Sequence, residues 1–482
     1  MNNKVLKAGI WYTISNFLIK GLVLLTMPIF TRIMSETDIG LFSNINSWFN
    51  ILAIITTFEI YSSISIARFD YKDDLDTYIS SSLLLGTFIT ITFYIIVIIF
   101  HAYFERLFLM DFKTINIIFI YLMVYPAIQM FQLKNQIEYK YIPTIIVSGI
   151  NAILSSVISI ILTITVANKL VGRIYGYYIP LILVALIVYI YLLHKGKKIS
   201  TKYWKYALVI SFPLIWHLLA GYILSSADKV MITKIISPEA NALYSVAYTI
   251  SMAVSLLWSS MNNAWSPWAY EQMNKKNYNN LKEKSKPYTI FFIIIVFTLI
   301  LIMPELLLIM GGKNYVQAKY VMPPVMIGYV FQFIYSLYVN IEFYHKKQKN
   351  IAIGTIIAAV VNIILNAIFI PKYGYIAAAY TTLFGYILLL IIHYLLVKRL
   401  NCTHWYDSKF FIKICFISLI SIMIFNILYT INTIRYIIIT LIALILLIII
   451  IINRKKIMIA IKSKNINNLI SILIFSKKGG KI

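Results

Sequence analysis

The chain has 482 residues, of which 61% are hydrophobic and only 12% charged, with a mean hydropathy of +0.83. Those values lie far outside soluble composition and make the bilayer the solvent. A formal charge of +26 would suit nucleic-acid binding only on a soluble face, and no connection between apolar segments is long enough to form one.

Apolar stretches of about 18 to 25 residues recur along the chain, each long enough to cross a hydrocarbon core roughly 30 Å thick. The strands of a membrane barrel would instead alternate polar and apolar residues. The expectation is therefore an all-α integral membrane protein of about fourteen transmembrane helices. Spans are predicted near residues 8–34, 42–67, 79–101, 115–133, 141–167, 174–194, 207–236, 241–268, 288–310, 321–345, 350–371, 373–397, 409–431 and 433–452. With a cytoplasmic N-terminus, roughly 31 of the 43 Lys and Arg residues fall in inner connections and tails. This positive-inside bias puts both termini in the cytoplasm. The run after the basic segment Met1 to Lys7 is too long for a signal peptide. Cys402 and Cys415 fall at an inner connection and its adjoining helix, where a reducing cytoplasm disfavours a disulfide.

Compared with itself at an offset of 202 residues, the chain sets Ser35-Glu36-Thr37-Asp38-Ile39-Gly40-Leu41-Phe42-Ser43 on Ser237-Pro238-Glu239-Ala240-Asn241-Ala242-Leu243-Tyr244-Ser245, and Arg32 on Lys234. The same offset lays Gly172-Arg173-Ile174 on Gly374-Tyr375-Ile376, both expected in short outer turns. Six helices per repeat is an even number, so the halves are expected to be parallel, with a cavity between them. That gives an N-terminal six-helix lobe at 1–198, a C-terminal six-helix lobe at 199–400, and two further helices with a basic cytoplasmic tail at 401–482. The connection from Lys195 to Tyr206, with five lysines, links the lobes.

A charge at mid-membrane costs on the order of 3 kcal/mol on insertion scales, so each one needs a partner or water. Lys20 lies in the first span on a stripe with Thr13, Asn16 and Thr31; pairing with Glu59 for stability alone is its structural alternative. Arg32, at the outer end of that helix, could equally snorkel to headgroups. In the seventh span His217, Gly221, Ser225 and Asp228 share a face, with Lys229 one position round and Lys234 near the end. Asp228 and Lys229 read either as an internal pair or as groups that exchange partners when an anion or proton arrives. Glu59 and Glu342 are candidates for proton or cation coupling, although Glu342, beside His345 and Lys346, reads better as a surface neutraliser. Pro28, Pro126, Pro180, Pro213, Pro267 and Pro304 fall within or at the ends of spans, where kinks are expected.

Two acidic runs raise an enzymatic alternative. Glu36-Thr37-Asp38 has the spacing of a metal-binding pair, but Ser35 followed by Asp38 is a helix-start signature. Asp73, Asp74 and Asp76 could hold magnesium and diphosphate, yet no second acidic inner loop completes such a site. No phosphate-cradling Gly-Lys-Ser/Thr loop occurs. Neither a metal, a cofactor nor a catalytic residue is expected.

The opening through Pro28, Thr31-Arg32 and Ser35-Glu36-Thr37-Asp38-Ile39-Gly40 resembles the polysaccharide flippases of the multidrug/oligosaccharidyl-lipid/polysaccharide exporter superfamily, the Wzx type. So do Ala227-Asp228-Lys229, Ala242-Leu243-Tyr244-Ser245, and Pro371-Lys372-Tyr373-Gly374 with Ala377-Ala378-Ala379. The resemblance covers nearly the whole chain through loose, distributed patterns. It departs from them at Tyr375, where a small residue would follow Gly374. It implies two six-helix lobes plus two helices, a cation-lined cavity and alternating access in the bacterial inner membrane. Its substrate would be an undecaprenyl-diphosphate-linked oligosaccharide destined for O-antigen, capsule or exopolysaccharide. Proton or sodium, a polysaccharide polymerase and chain-length proteins are the implied partners. From the resemblance Arg32, Asp228 and Lys229 take roles, the two cations for diphosphate and Asp228 for charge switching. Lys20 and Lys234 are added to the diphosphate set, and Glu59 and His217 to the coupling set, from their own placement. A drug/cation antiporter of the same superfamily, or a membrane glycosyltransferase or polymerase, are the alternatives.

Overall fold

The computed structural model describes residues 21–445 apart from 23 and 197. Among the described residues the structure is helical with no strand, and twelve helices are long and apolar enough to cross a membrane. They are α2 (Glu36–Thr57), α4 (Leu75–Ile99), α6 (Phe112–Ile137), α7 (Tyr141–Thr165), α8 (Lys169–Gly196), α9 (Lys202–Ile235), α10 (Pro238–Asn274), α11 (Tyr278–Gly311), α12 (Met322–Tyr344, continuing a 3-10 turn from Lys313), α13 (Gln348–Tyr373), α14 (Tyr375–Arg399) and α15 (Ser408–Leu428). These match the second to thirteenth predicted spans. Shorter apolar helices α1 (Leu24–Ile33) and α16 (Asn432–Ile445) stand where the first and last are predicted.

The clearest departure is in the second span, predicted as one run over 42–67. Ser35 caps α2, accepting from the Asp38 amide at 3.1 Å, so the acidic run starts a helix as its spacing implies. At the other end Phe58 and Glu59 are both left-handed, at φ 49° and 51°, and α2 stops. A 3-10 turn over Ile60–Ser63 and the short α3 (Ile64–Asp70) follow. Two successive non-glycine residues in that region are costly and persist only where packing holds them. A short helix α5 (His101–Phe108), outside the predicted spans, lies between α4 and α6.

The α7–α8 hairpin shows how a lipid-facing pair is built. Thr144, Asn151, Ser155, Ser159 and Thr163 are the buried side of α7, while Ile142, Ile146, Ile150, Ile153 and Ile161 are exposed. The apolar face meets lipid and the small polar face meets protein, the reverse of a soluble helix. A Cβ on Gly176 would sit 2.5 Å from the Ser159 Cα, so the two backbones approach as only glycine permits. Gly172 lies inside α8 and packs on the Leu162 carbonyl, which corrects its predicted place in a turn. Its repeat partner Gly374 does occupy a turn, at φ 74°.

The chain divides into two compact units. The first comprises residues 1–250, 307–318 and 349–388. Its core includes a knot of aromatic rings in which Phe49 stacks on Tyr121 at 5.2 Å and meets Tyr125 and Tyr178 edge-on. The second comprises residues 251–306, 319–348 and 389–482. It centres on α12, almost wholly buried, where Phe333 stacks on Phe292 at 4.5 Å. There Arg435 of α16, 2% exposed, grips Glu305 of α11 through two hydrogen bonds of 2.6 and 2.7 Å.

Candidate functional site: a cation-lined cavity beside a buried carboxylate

Both features of the candidate site lie in the first unit. The starting ends of α2 and α10 pack against each other, and residues matched by the 202 offset touch in pairs. Ser43 and Ser245 share a hydrogen bond of 2.6 Å, and Thr37 donates to Glu239. Asn241 donates to the Gly40 carbonyl at 2.8 Å. A Cβ on Gly40 would fall 1.8 Å from the Pro238 carbonyl oxygen, so glycine is required there. Equivalent residues can touch in this way only near an axis relating their two elements.

Beside this contact lies a cavity of about 190 Å³ lined by α1, α2, α8, α9 and α10. Its walls carry hydroxyls of Thr31, Ser47, Ser226 and Thr249 and the amides of Asn46 and Asn50. Lys229 and Arg173 are its charged lining groups, and no carboxylate is among them. Lys229 is half-buried with its ammonium 5.1 Å from the Tyr248 ring, and it makes no salt bridge with any described residue. Arg173 lies between Phe30 and Phe42, its guanidinium carbon 4.0 Å from each ring centroid. Its Nη1 donates to the Met34 sulfur at 3.4 Å, and its buried Nε has no partner. Ring faces hold a guanidinium flat without neutralising it. The cavity thus presents two cations and no acid among its lining side chains.

Asp228, next to Lys229 in sequence, lies within its electrostatic reach but makes its hydrogen bonds elsewhere. Fully buried, its carboxyl group accepts from Tyr244 at 2.6 Å, Asn366 at 2.6 Å and Thr382 at 2.5 Å. Asn366 is itself fixed by Thr381 and, at 3.2 Å, by Asn362. Four helices, α9, α10, α13 and α14, converge on one acidic group through neutral donors, with no cation among them. The Asp228 carboxyl group is thus hydrogen-bonded by neutral donors, while Lys229 lines the cavity.

The other predicted residues are dispersed. Arg32 is exposed and donates to the carbonyls of Pro28 at 2.7 Å and Ile309 at 3.0 Å, closing the end of α11. Lys234 is exposed in the last turn of α9 and does not line the cavity. Lys20 lies outside the described residues. Glu59, 6% exposed at the break after α2, faces Tyr61 and Ser62 and makes no salt bridge with a described residue. His217 sits eleven residues before Asp228, about 16 Å along α9; its buried Nδ1 has no hydrogen-bond partner among the described residues. Of the acidic run, Asp76 pairs with Lys134, while Asp73 and Asp74 are exposed. Among the described residues no cluster of three or more metal-ligating side chains occurs.

Arg173, Asn362, Asn366 and Thr382 were not singled out from the sequence. Asn362 and Asn366, four apart in an apolar span, are the signal that could have found them, because a neutral polar pair on one face of such a helix needs a protein partner.

Comparison with known proteins bears on this arrangement. The family described as polysaccharide biosynthesis protein matches residues 5–273, and the MatE family matches residues 213–368. An uncharacterized membrane protein of Methanocaldococcus jannaschii is 25% identical over 462 residues, covering 87% of this chain and 89% of that protein. The structure of the lipid II flippase MurJ in an inward closed conformation aligns with a TM-score of 0.67 at 19% identity, covering 92% of this chain and 99% of that one. An inward-facing multidrug resistance MATE family transporter of the MOP superfamily aligns with a TM-score of 0.63 at 15% identity, over 83% of this chain and 98% of that one. The fold is thus that of the MOP-superfamily flippases and transporters, and the chain belongs to the polysaccharide biosynthesis protein family.

Proposed function

We propose that the protein is a flippase that moves undecaprenyl-diphosphate-linked oligosaccharide repeat units from the cytoplasmic to the outer leaflet of a bacterial inner membrane. The product would feed O-antigen, capsule or exopolysaccharide synthesis, beside a polymerase and chain-length proteins. The observation that carries this reading is the cavity holding Lys229 and Arg173 without a lining carboxylate. A diphosphate would draw charge-assisted hydrogen bonds from both cations, and the hydroxyl and amide walls suit the first sugar. Lys20, Arg32 and Lys234 remain candidate diphosphate contacts at other stages of alternating access.

Asp228 is proposed as the coupling group, with Glu59 and His217 as further candidates. A buried acid held only by neutral donors is a place for a proton or a sodium ion. Two negative charges moving outward from an inside-negative cell run with the field and would gain about 4 to 5 kcal/mol per 100 mV, so ion coupling would assist rather than drive alone.

A cation-coupled multidrug exporter is the second reading, favoured by the MatE match over residues 213–368. A cationic drug would need acidic residues in the cavity, and none lines it. The test is flipping of undecaprenyl-diphosphate oligosaccharide in reconstituted vesicles, comparing intact protein with Lys229→Ala and Arg173→Ala at matched insertion. Loss in both variants supports the reading. An intact protein that moves several such lipids no faster than empty vesicles, yet exports a cationic dye, overturns it.

A further inference from the structure

The second unit holds a buried acid–base pair that the proposed function does not use. Glu342 of α12 and His393 of α14 are 0% and 1% exposed, with Nδ1 2.6 Å from Oε1. Tyr335 stacks on the imidazole, ring centroids 5.5 Å apart and planes 18° from parallel. The second carboxyl oxygen of Glu342 is buried without any hydrogen-bond partner. The expectation that Glu342 neutralises His345 and Lys346 is corrected here, because His345 turns to Cys402 at 3.5 Å and to the Trp405 ring.

With one proton between them the pair is neutral overall, whichever atom carries it. Both side chains are sealed from solvent, so water must reach the pair before a proton can enter or leave. The second Glu342 oxygen, with no donor among the described residues, is the acceptor at which an entering water would bind. One carboxylate beside an imidazole also offers too few oxygens for sodium, which leaves the proton as its ligand.

The surrounding titratable groups do not supply a competing charge. Tyr335, Tyr338 and Glu342 lie on one stripe of α12. Tyr338 meets Tyr394 of α14 and Tyr406 of the following loop, and Cys415 of α15 lies in its electrostatic reach. Among the described residues no lysine, arginine or second carboxylate pairs with either member.

We propose that Glu342 and His393 form a proton-binding site of the transport cycle, taking up one proton when wetted from one side and releasing it when wetted from the other. The cycling rests on the transporter reading, whereas the proton site itself can be tested without substrate. In lipid nanodiscs, infrared difference spectra of the intact protein, Glu342→Gln and His393→Gln would assign the pair's signal as the one lost in both variants. Glutamine at either position keeps a hydrogen-bonding group of similar size, so the two variants check each other for folding.

The expected result is deuteration of that signal within minutes of transfer to heavy water, on the timescale of spontaneous opening. In vesicles, an imposed pH gradient should change flipping of an undecaprenyl-diphosphate oligosaccharide several-fold in the intact protein. Both variants should retain gradient-independent flipping and lose that response. A pair signal unchanged after a day in heavy water, or variants that respond to the gradient as the intact protein does, would overturn the proposal. If the intact protein moves no lipid-linked diphosphate, the flippase reading fails and the exchange measurement alone decides the proton site.

Discussion

Replacing Asp228 with alanine removes the acceptor on which four helices converge. Tyr244, Asn366 and Thr382 each lose a hydrogen bond of 2.5 to 2.6 Å in a fully buried place. A buried donor left unsatisfied costs about 1 to 3 kcal/mol. Two of the three are hydroxyls that can rotate toward other acceptors, so the expected loss is about 3 to 6 kcal/mol rather than the upper sum. Asparagine keeps the shape and one acceptor oxygen, and either hydroxyl can turn to accept from its new amide hydrogens; Asp228→Asn should lose only about 1 to 2 kcal/mol. The assay is thermal loss of helical circular dichroism in lipid nanodiscs, which reports on all helices at once. Alanine melting within a degree of the intact protein, or asparagine melting as low as alanine, would refute the claim that the donors depend on this one side chain.

Gly40→Ala would press a methyl group into the Pro238 carbonyl, 1.8 Å from the new Cβ, and is expected to lower the melting temperature more than Gly21→Ala, which meets nothing within 4 Å. Arg435→Lys should fail to rescue the instability of Arg435→Ala in a thermal melt, because an ammonium cannot reproduce the two-point grip on Glu305 with the bonds to Leu301 and Asn432. Asp407 caps α15 by accepting from the Phe410 amide at 3.1 Å, and the hydrogen bond from Lys286, then that amide, hold its carboxyl below the usual Asp range. Its contribution is therefore present at neutral pH and lost as pH falls below about 4, so Asp407→Ala, expected to cost about 0.5 to 2 kcal/mol at pH 7, should cost little at pH 3 in the same melts.

What could be read in advance follows the range of the interactions involved. Spans depend on local apolar content, and so, among the described residues, helices long enough to cross a membrane stand at twelve of the fourteen predicted spans. The break at Phe58 and Glu59 left no local mark, because Thr57-Phe58-Glu59-Ile60 carries neither glycine nor proline. It is held by tertiary packing: Ile60 and Ile64 behind it are 1% and 0% exposed. The 202-residue offset matches Ser43 to Ser245 and Thr37 to Glu239, which do touch, but it could not show that Gly172 and Gly374 do different work, one packing a helix pair and the other turning the chain.

Charge in a membrane sequence marks where a partner is needed without saying which partner answers it. Asp228 was legible as an expensive group, and its neighbour Lys229 was the nearest answer by sequence. The answering groups are Asn366, 138 positions away, and Thr382, 154 positions away, both neutral and so invisible to an inspection that tracks charge. Glu342 repeats the pattern, passing over His345 three residues on for His393, 51 positions away. Arg173 is the converse case, a cation held by aromatic faces with no salt bridge to any described residue. A charge answered by neutral groups stays available to a ligand, whereas one answered by its opposite, as Arg435 is by Glu305, is committed to the fold. On that distinction Lys229, Arg173 and Asp228 are proposed as the working groups and Arg435 with Glu305 as a structural pair.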